Sequence, residues 1–485
     1  MVKIIFCFSI LLQIVNCTYA QQPNIIYIYA DDLGYGELGI YGQTKIKTPH
    51  LDKMAGEGMR FTQHYSSAPV CAPSRYMLMM GRHSGHAYIR GNYELGGYED
   101  SNERGQMPLN EGAYTVAKML KEKGYATGLI GKWGMGMVGT TGSPLLHGFD
   151  YYYGYLDQKQ AHNFYPTHLW ENDQWDSLHN PSFMVHAKID PEKATDADFE
   201  KFIGNEYAPT KMTEKALSFL DKNKSRPFYL YLPYTLPHLA LQAPKEYVQQ
   251  YIGKFEEEPY YGEKGYAPSK YPKSTYAAMI SILDEQVGII LAKIKSLGLD
   301  ENTLIMFSSD NGPTLSSIVD TKYFNSTAGL RGLKMDLYEG GVRVPFIARW
   351  PGKVKANAVS EHVSVQYDIM PTLAELTGGR MEKTDGISLL PTLLNATEQQ
   401  KKHEFIYFEY PENGGWVSVR MGNWKAIRKQ VKKNPNTPWE LYDLSVDINE
   451  SNNIADQHAE IIKKIEMLVR REHQHSHLVD WEFLY

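Results

Sequence analysis

The feature that most constrains this chain is a rhythm. Five short apolar runs rich in β-branched and aromatic residues, Asn24–Ala30, 126–131, Phe228–Pro233, 303–308 and 344–349, read as buried strands. Between them the apolar residues fall at helical spacing, over 115–123, 211–222, 274–297 and 368–376. Alternating β and α elements predict an α/β fold: a mixed, mostly parallel sheet sandwiched by helices. From about residue 394 the rhythm changes. Segments 404–410, Trp416–Met421 and 424–427 read as antiparallel strands; Glu440–Asp443 follows, then a helix over 456–471. The expected organisation is a large domain over 21–393 and a smaller C-terminal α+β subdomain over 394–485.

Residues 1–20 read as a secretory signal. Lys3 supplies the positive end, residues 4–15 are apolar but too few for a membrane span, and Thr18-Tyr19-Ala20 offers a cleavage site. A lipoprotein acylation site at Cys17 is the competing reading, and Asn16 argues against it. Export to the periplasm or the medium follows, with no transmembrane segment expected in the remainder. Removing the signal takes away Cys7 and Cys17 and leaves Cys71 alone, which excludes a disulfide-stapled fold. A formal charge of −6 without a basic run speaks against a nucleic-acid partner.

Polar clusters stand at the strand ends, where open α/β folds keep their chemistry. Asp31-Asp32 follows the first strand, Lys132 the second, His238 the third and Asp310-Asn311 the fourth. One such residue is ordinarily a turn or a helix cap; four successive clusters can converge on a single site. Asp31, Asp32, Asp310 and the amide oxygen of Asn311 form a set of hard oxygen ligands, suited to Ca²⁺ or Mg²⁺ rather than zinc. A lone cysteine is ordinarily a buried inert thiol or a thiolate nucleophile paired with His. Neither explains Pro73 and Arg75 at fixed offsets from Cys71.

The run Cys71-x-Pro73-Ser74-Arg75, with Leu78 and Gly81-Arg82 after it, resembles the signature of the type I, formylglycine-dependent sulfatases. Asp31-Asp32-Leu33-Gly34-Tyr35-Gly36, Gly131-Lys132-Trp133, Pro237-His238, Ser309-Asp310-Asn311-Gly312, Lys334 and Tyr338-Glu339-Gly340-Gly341-Val342-Arg343-Val344-Pro345 are similar to that family's further motifs, in the same order. Glu440-Leu441-Tyr442-Asp443-Leu444 is similar to its C-terminal part. The resemblance implies an alkaline-phosphatase-like scaffold and one Ca²⁺ held by Asp31, Asp32, Asp310 and Asn311. It implies that a maturation enzyme oxidises Cys71 to formylglycine (3-oxoalanine), the nucleophile. Arg75 would orient the hydroxyls of the hydrated aldehyde, Lys132 and Lys334 would bind sulfate oxygens, and His238 would protonate the leaving oxygen.

One departure bears on turnover. Many family members carry His directly after Gly-Lys-Trp, where it contacts a formylglycine hydroxyl as proton acceptor; this chain has Gly134. His162, in Gln160-Ala161-His162-Asn163, is the expected substitute from a neighbouring loop, with His147 and His168 as further candidates.

Nine aromatic residues between 149 and 175, together with export, point to a sulfated saccharide as substrate. Algal polysaccharides of ulvan or carrageenan type and glycosaminoglycans are the classes considered, with exo action on oligosaccharides. A phosphoester hydrolase on the same scaffold and a non-catalytic glycan-binding protein with unconverted Cys71 are the alternatives. The stretch Glu472-His473-Gln474-His475-Ser476-His477 reads as the solvated end of the last helix.

Overall fold

The computed structural model describes residues 22–96, 102–314 and 318–485; the predicted signal over 1–20 lies outside the described residues. The strands, in chain order, are β1 (Asn24–Ala30), β2 (Met59–Phe61), β3 (His64–Tyr65), β4 (Ala126–Lys132), β5 (Tyr151–Tyr155), β6 (His168–Glu171), β7 (Gln174–Ser177), β8 (Phe228–Pro233), β9 (Thr303–Ser309), β10 (Phe346–Arg349), β11 (Ala358–Ser360) and β12 (Ser364–Val365), then β13 (Ile406–Tyr410), β14 (Trp416–Met421), β15 (Trp424–Arg428) and β16 (Glu440–Asp443).

Ten of them form one sheet in the order β11-β2-β10-β9-β1-β8-β4-β5-β6-β7. Its centre, β9-β1-β8-β4-β5, is parallel throughout. The flanks are antiparallel at β10, β6 and β7. The five predicted strands are all present.

Successive residues of β1 point to opposite faces, and both faces are covered. Ile26 and Ile28 pack in one core with Ile280, Leu283 and Val287 of the helix Pro272–Ser296 and Met212 and Phe219 of the helix Ala208–Asn223. Ile25, Tyr27 and Tyr29 pack in another with Tyr76 and Met77 of the helix Cys71–Met80, Val116 and Leu120 of Val116–Glu122, and Leu373 of Ile369–Thr377. A strand buried on both faces reads as a continuous apolar run rather than an alternation, which is the pattern of NIIYIYA.

The helix Cys71–Met80 has no counterpart among the predicted elements. Pro73 sits in its first turn, where the missing N–H has no intrahelical partner anyway. The Asn92 side chain accepts the Ala72 N–H at 2.9 Å. Gly81 ends the helix at φ +63°, with its N–H on the Met77 carbonyl at 2.9 Å. Cys71 and Arg75, four residues apart, therefore share one helix face.

The strands β13–β16 form a separate antiparallel sheet. One face receives Ile465, Leu468 and Val469 of the helix Ala459–Glu472. The other packs Ile406, Phe408 and Tyr410 against Tyr65, Val70 and Tyr367. Val70 immediately precedes Cys71, so the small sheet supports the start of the Cys71 helix.

The predicted solvated helix end is corrected. The helix stops at Glu472 and the tail folds back onto the main body. His473 lies between Glu409 (2.8 Å) and Glu482 (2.9 Å), His477 stacks on Tyr88 at 3.8 Å, and Trp481 is buried beside Tyr93. No helix among the described residues is long and apolar enough to cross a membrane.

Candidate active site

Because β1 and β9 run parallel with Ala30 opposite Ser309, Asp31-Asp32 and Asp310-Asn311 leave the sheet side by side. The Asp310 N–H donates to the Ala30 carbonyl (3.1 Å), and the Asp31 N–H donates to the Leu236 carbonyl beyond β8 (3.0 Å). Asp32 takes a left-handed backbone, φ +63°, a region that Asp tolerates better than most residues. That turn brings its N–H to Asp310 Oδ1 (3.0 Å) and its Oδ1 to the Asn311 amide Nδ2 (2.8 Å). All four side chains are fully buried, and Asn311 Oδ1 has no hydrogen-bond partner.

Three cations close on these carboxylates. Lys132, at the end of β4, places Nζ 2.7 Å from Asp31 Oδ2. Lys334 places Nζ 2.8 Å from Asp32 Oδ1, 3.5 Å from Cys71 Sγ and 3.1 Å from His238 Nε2. Arg75 gives Nε and Nη2 to Asp310 Oδ2 and Nη1 to the Lys132 carbonyl (2.9 Å). The Cys71 thiol donates to Asp31 Oδ1 at 3.2 Å.

The electrostatics follow from this packing. Burial alone would raise the Asp31 carboxyl, but Lys132, His238, Arg75 and Lys334 hold it well below the usual range. Burial, reinforced by Asp31 and Asp310, pushes the Cys71 thiol well up. An unmodified thiol here stays protonated and is a poor nucleophile. Burial, and then Lys334, lowers the His238 imidazole to about 4. Its Nδ1 donates to the Leu239 carbonyl, leaving the Nε2 lone pair facing the Lys334 ammonium.

The site residues expected from the sequence are thus brought together, with one difference in arrangement. His162 stacks on His238 at 5.0 Å and 10°, with Tyr266 at 5.1 Å and His186 at 5.6 Å, and its Nδ1 is buried without a partner. The side chain that stands over Gly134 is Gln158. His147 binds the Thr141 carbonyl and His168 pairs with Glu103, so both serve neighbouring structure instead. His186, Tyr266, Asn92 and Gln158 carry no sequence signal; loop contacts bring them in.

The donor set fits a hard divalent cation. Three buried carboxylates and an orphaned amide oxygen converge, and all are oxygen ligands of the kind calcium takes. Asp31, Asp32, Asp310 and Asn311 are the residues that would hold it.

A sulfatase family model matches residues 23–379, and a model described as N-sulphoglucosamine sulphohydrolase, C-terminal, matches 333–475. The chain belongs to the sulfatase family. It is 31% identical to an N-acetylgalactosamine-6-O-sulfatase of Bacteroides thetaiotaomicron, over 94% of each chain. It is 31% identical to arylsulfatase A of Homo sapiens, over 90% of this chain and 84% of that one. A solved structure, Ps i-CgsB in complex with k-i-k-neocarrahexaose, superposes with a TM-score of 0.76 at 27% identity, covering 95% of this chain and 97% of the other. The sulfatase is a sulfuric ester hydrolase on an alkaline-phosphatase-like fold, and the buried cluster around Cys71 is its candidate active site.

Proposed function

We propose that this sulfatase is a calcium-dependent, exported enzyme that removes sulfate from a sulfated saccharide after Cys71 has been converted to formylglycine. The observation that carries the reading is the position of Cys71 at the N-terminus of a buried helix. Its sulfur lies 3.2 Å from Asp31 and 3.5 Å from Lys334, inside a cluster of three carboxylates and three cations. A hydrated aldehyde at this position would supply two hydroxyls: one would receive the sulfuryl group, and deprotonation of the other would re-form the aldehyde, breaking the first C–O bond and releasing sulfate. Calcium, when bound, supplies Lewis-acid neutralisation of a sulfate oxygen.

The remaining work falls to side chains. Arg75, anchored by Asp310, orients the residue at 71 from one turn along the helix. Lys132 and Lys334 turn from Asp31 and Asp32 to hold the sulfate oxygens. His238 Nε2, 3.1 Å from the Lys334 ammonium, would take a proton from Lys334 and give it to the leaving oxygen. His162, neutral because burial lowers its pKa and with an open Nδ1, accepts the hydroxyl proton when sulfate is released.

Tyr266 and His186 join His162 in a wall of rings beside His238, a surface suited to a sugar ring and its hydroxyls. The names of the relatives support a saccharide, of either glycosaminoglycan or carrageenan type; exo action on oligosaccharides is part of the proposal. The large domain over 21–393 would carry the chemistry, and the part over 394–485 would buttress it.

The test is a pair of measurements on protein made alongside a formylglycine-generating enzyme. Mass spectrometry of the Cys71 peptide should show sulfur and two hydrogens exchanged for one oxygen. Sulfate release should follow from at least one member of a panel of defined sulfated oligosaccharides. Active protein carrying an intact thiol at 71 would overturn the mechanism.

A further inference from the structure

The run Glu472-His473-Gln474-His475-Ser476-His477 has no part in the chemistry at Cys71. The final helix ends at Glu472, and His473 continues with an extended backbone, φ −71° and ψ 125°. Residues two apart in extended chain point the same way, and the rings of His473 and His475 stand 5.6 Å apart. The short turn Val479–Trp481 then brings the chain back and sets Glu482 against both rings. Glu482 Oε1 lies 2.9 Å from His473 Nε2, and Oε2 lies 3.2 Å from His475 Nδ1.

Two atoms of this group lack a hydrogen bond. The His473 side chain is 5% exposed, and neither its Nε2 nor Glu482 Oε1 completes one, although only 2.9 Å separates them. Buried polar atoms in folded proteins are nearly always paired. Two that meet without pairing face a place for a third partner. Their outer contacts are already set. His473 Nδ1 donates to Glu409 Oε1 at 2.8 Å, and Glu409 Oε2 is held by Arg90 Nη1 at 2.9 Å. A carboxylate on the far ring nitrogen is the usual support of a metal-binding His, because it fixes the tautomer and frees the other nitrogen. Glu482 Oε2 accepts the Ser476 N–H at 3.0 Å, which orients that carboxylate.

We propose that His473 Nε2, His475 Nδ1 and the Glu482 carboxylate bind one divalent transition-metal ion of the zinc class. Two imidazoles with a carboxylate suit such ions rather than calcium, which takes oxygen. Zinc holds nitrogen and oxygen at about 2.0–2.2 Å, so neighbouring ligands of a tetrahedron stand about 3.4 Å apart. The pairs here are 2.9 and 3.2 Å apart, and the three ligand atoms all lie within 4.8 Å of one another. The His475 side chain is 79% exposed, which opens the site to an ion from solvent and to a water as fourth ligand. The ion would fasten the returning tail to the end of the final helix. Trp481, next to Glu482, meets Tyr93 at 5.9 Å, and the adjacent Asn92 accepts the Ala72 N–H, so the tail braces the start of the Cys71 helix. The site is structural and does not depend on the proposed reaction. His83, His86 and Glu472 form the competing cluster. There His83 Nδ1 accepts the Gly85 N–H, so Nε2 carries the proton and offers no lone pair.

The test uses the full chain, stripped with EDTA and returned to buffer with excess calcium so that the oxygen ligands near Cys71 are occupied. The probe is Zn²⁺ alone. Isothermal titration should show saturable binding of zinc to the wild type, and zinc should raise its Tm. His475→Ala removes a ligand at an exposed position, where the fold is not at stake. It should weaken zinc binding by more than about 100-fold, beyond the 10- to 100-fold that loss of an outer partner costs. Glu482→Gln should weaken it as much, and His86→Ala should bind zinc as the wild type does. Co²⁺ on the wild type should give the visible absorption of a four-coordinate nitrogen and oxygen site, absent from His475→Ala. No saturable zinc binding by the wild type overturns the proposal, as does an affinity left unchanged in either His475→Ala or Glu482→Gln. Loss of binding in His86→Ala would put the ion on the His83 cluster and overturn it as well.

Discussion

Arg75 reaches Asp310 with two donors, Nε at 3.1 Å and Nη2 at 2.8 Å, both on Oδ2, and neither side chain has exposed surface. The guanidinium also lies over the Tyr29 ring at 5.6 Å. This arrangement ties the Cys71 helix to the end of β9. Removing one member of a buried pair leaves the other charge uncompensated, at a cost of about 3–5 kcal/mol. Arg75→Met should lose about that much in urea unfolding, together with its activity. Arg75→Lys cannot reproduce the two-donor fork and should recover stability in part without recovering turnover. A wild-type midpoint in Arg75→Met would show that the pair does not support the fold.

The open Oδ1 of Asn311, among three buried carboxylates, gives a prediction about metal removal. Chelation with EGTA should abolish sulfate release and lower Tm, and added calcium should restore both. At free calcium about a hundred times Kd, binding stabilises the folded state by about 2.7 kcal/mol. Asn311→Leu should keep its fold but lose most of the calcium-dependent rise in Tm. A Tm indifferent to EGTA and calcium in the wild type would remove calcium from this site.

The legibility of the molecule in its sequence follows its packing. β1 and β8 are predictable to the residue because both faces are buried, so every position after the leading Asn24 of β1 is apolar or aromatic. β5 is equally buried, but its YYYGY composition reads as an aromatic segment, and β7 exposes most of its polar residues at a sheet edge. The Cys71–Met80 helix is masked by Pro73, although the four-residue spacing of Cys71 and Arg75 is itself a helical signal. Asp31, Lys132 and Asp310 are legible because strand ends collect functional groups. Tyr266 is not, since nothing local distinguishes it; it reaches His162 and His238 through a loop that meets them only in the folded chain. The tail shows the same limit: His473 and Trp481 find partners on the main body that no periodicity announces.

The contact between His238 Nε2 and Lys334 Nζ, 3.1 Å, puts the proton donor on one side of the site. His238→Gln removes the imidazole and should lower kcat by about 10²- to 10⁴-fold on a sugar sulfate, whose leaving alkoxide needs a proton. On 4-nitrophenyl sulfate, whose leaving group is stable as the anion, the loss should be much smaller. Equal losses on both substrates would place His238 in sulfate binding rather than in protonation.

Glu472, the last residue of the final helix, accepts from His83 Nε2 at 3.2 Å. His83 Nδ1 is itself an acceptor for the Gly85 N–H at 3.1 Å, so the ring proton sits on Nε2 and points at Glu472. His86 stacks on His83 at 4.1 Å and pairs with Asp385 at 2.9 Å, completing a latch between the final helix and the segment after the Cys71 helix. The hydrogen bond from His83, aided by Arg471, holds the Glu472 carboxyl down to about 2 from an ordinary 4.5. A carboxyl lowered on folding contributes stability that is present above its unfolded pKa and lost as pH falls through its folded one. Glu472→Gln should therefore lower Tm at neutral pH, with the deficit to wild type shrinking below pH 4.5 and closing near 2. Thermal melts of the two proteins across that range decide it: a deficit that stays constant down to the lowest pH would mean that the ionised Glu472 carboxylate does not fasten the latch.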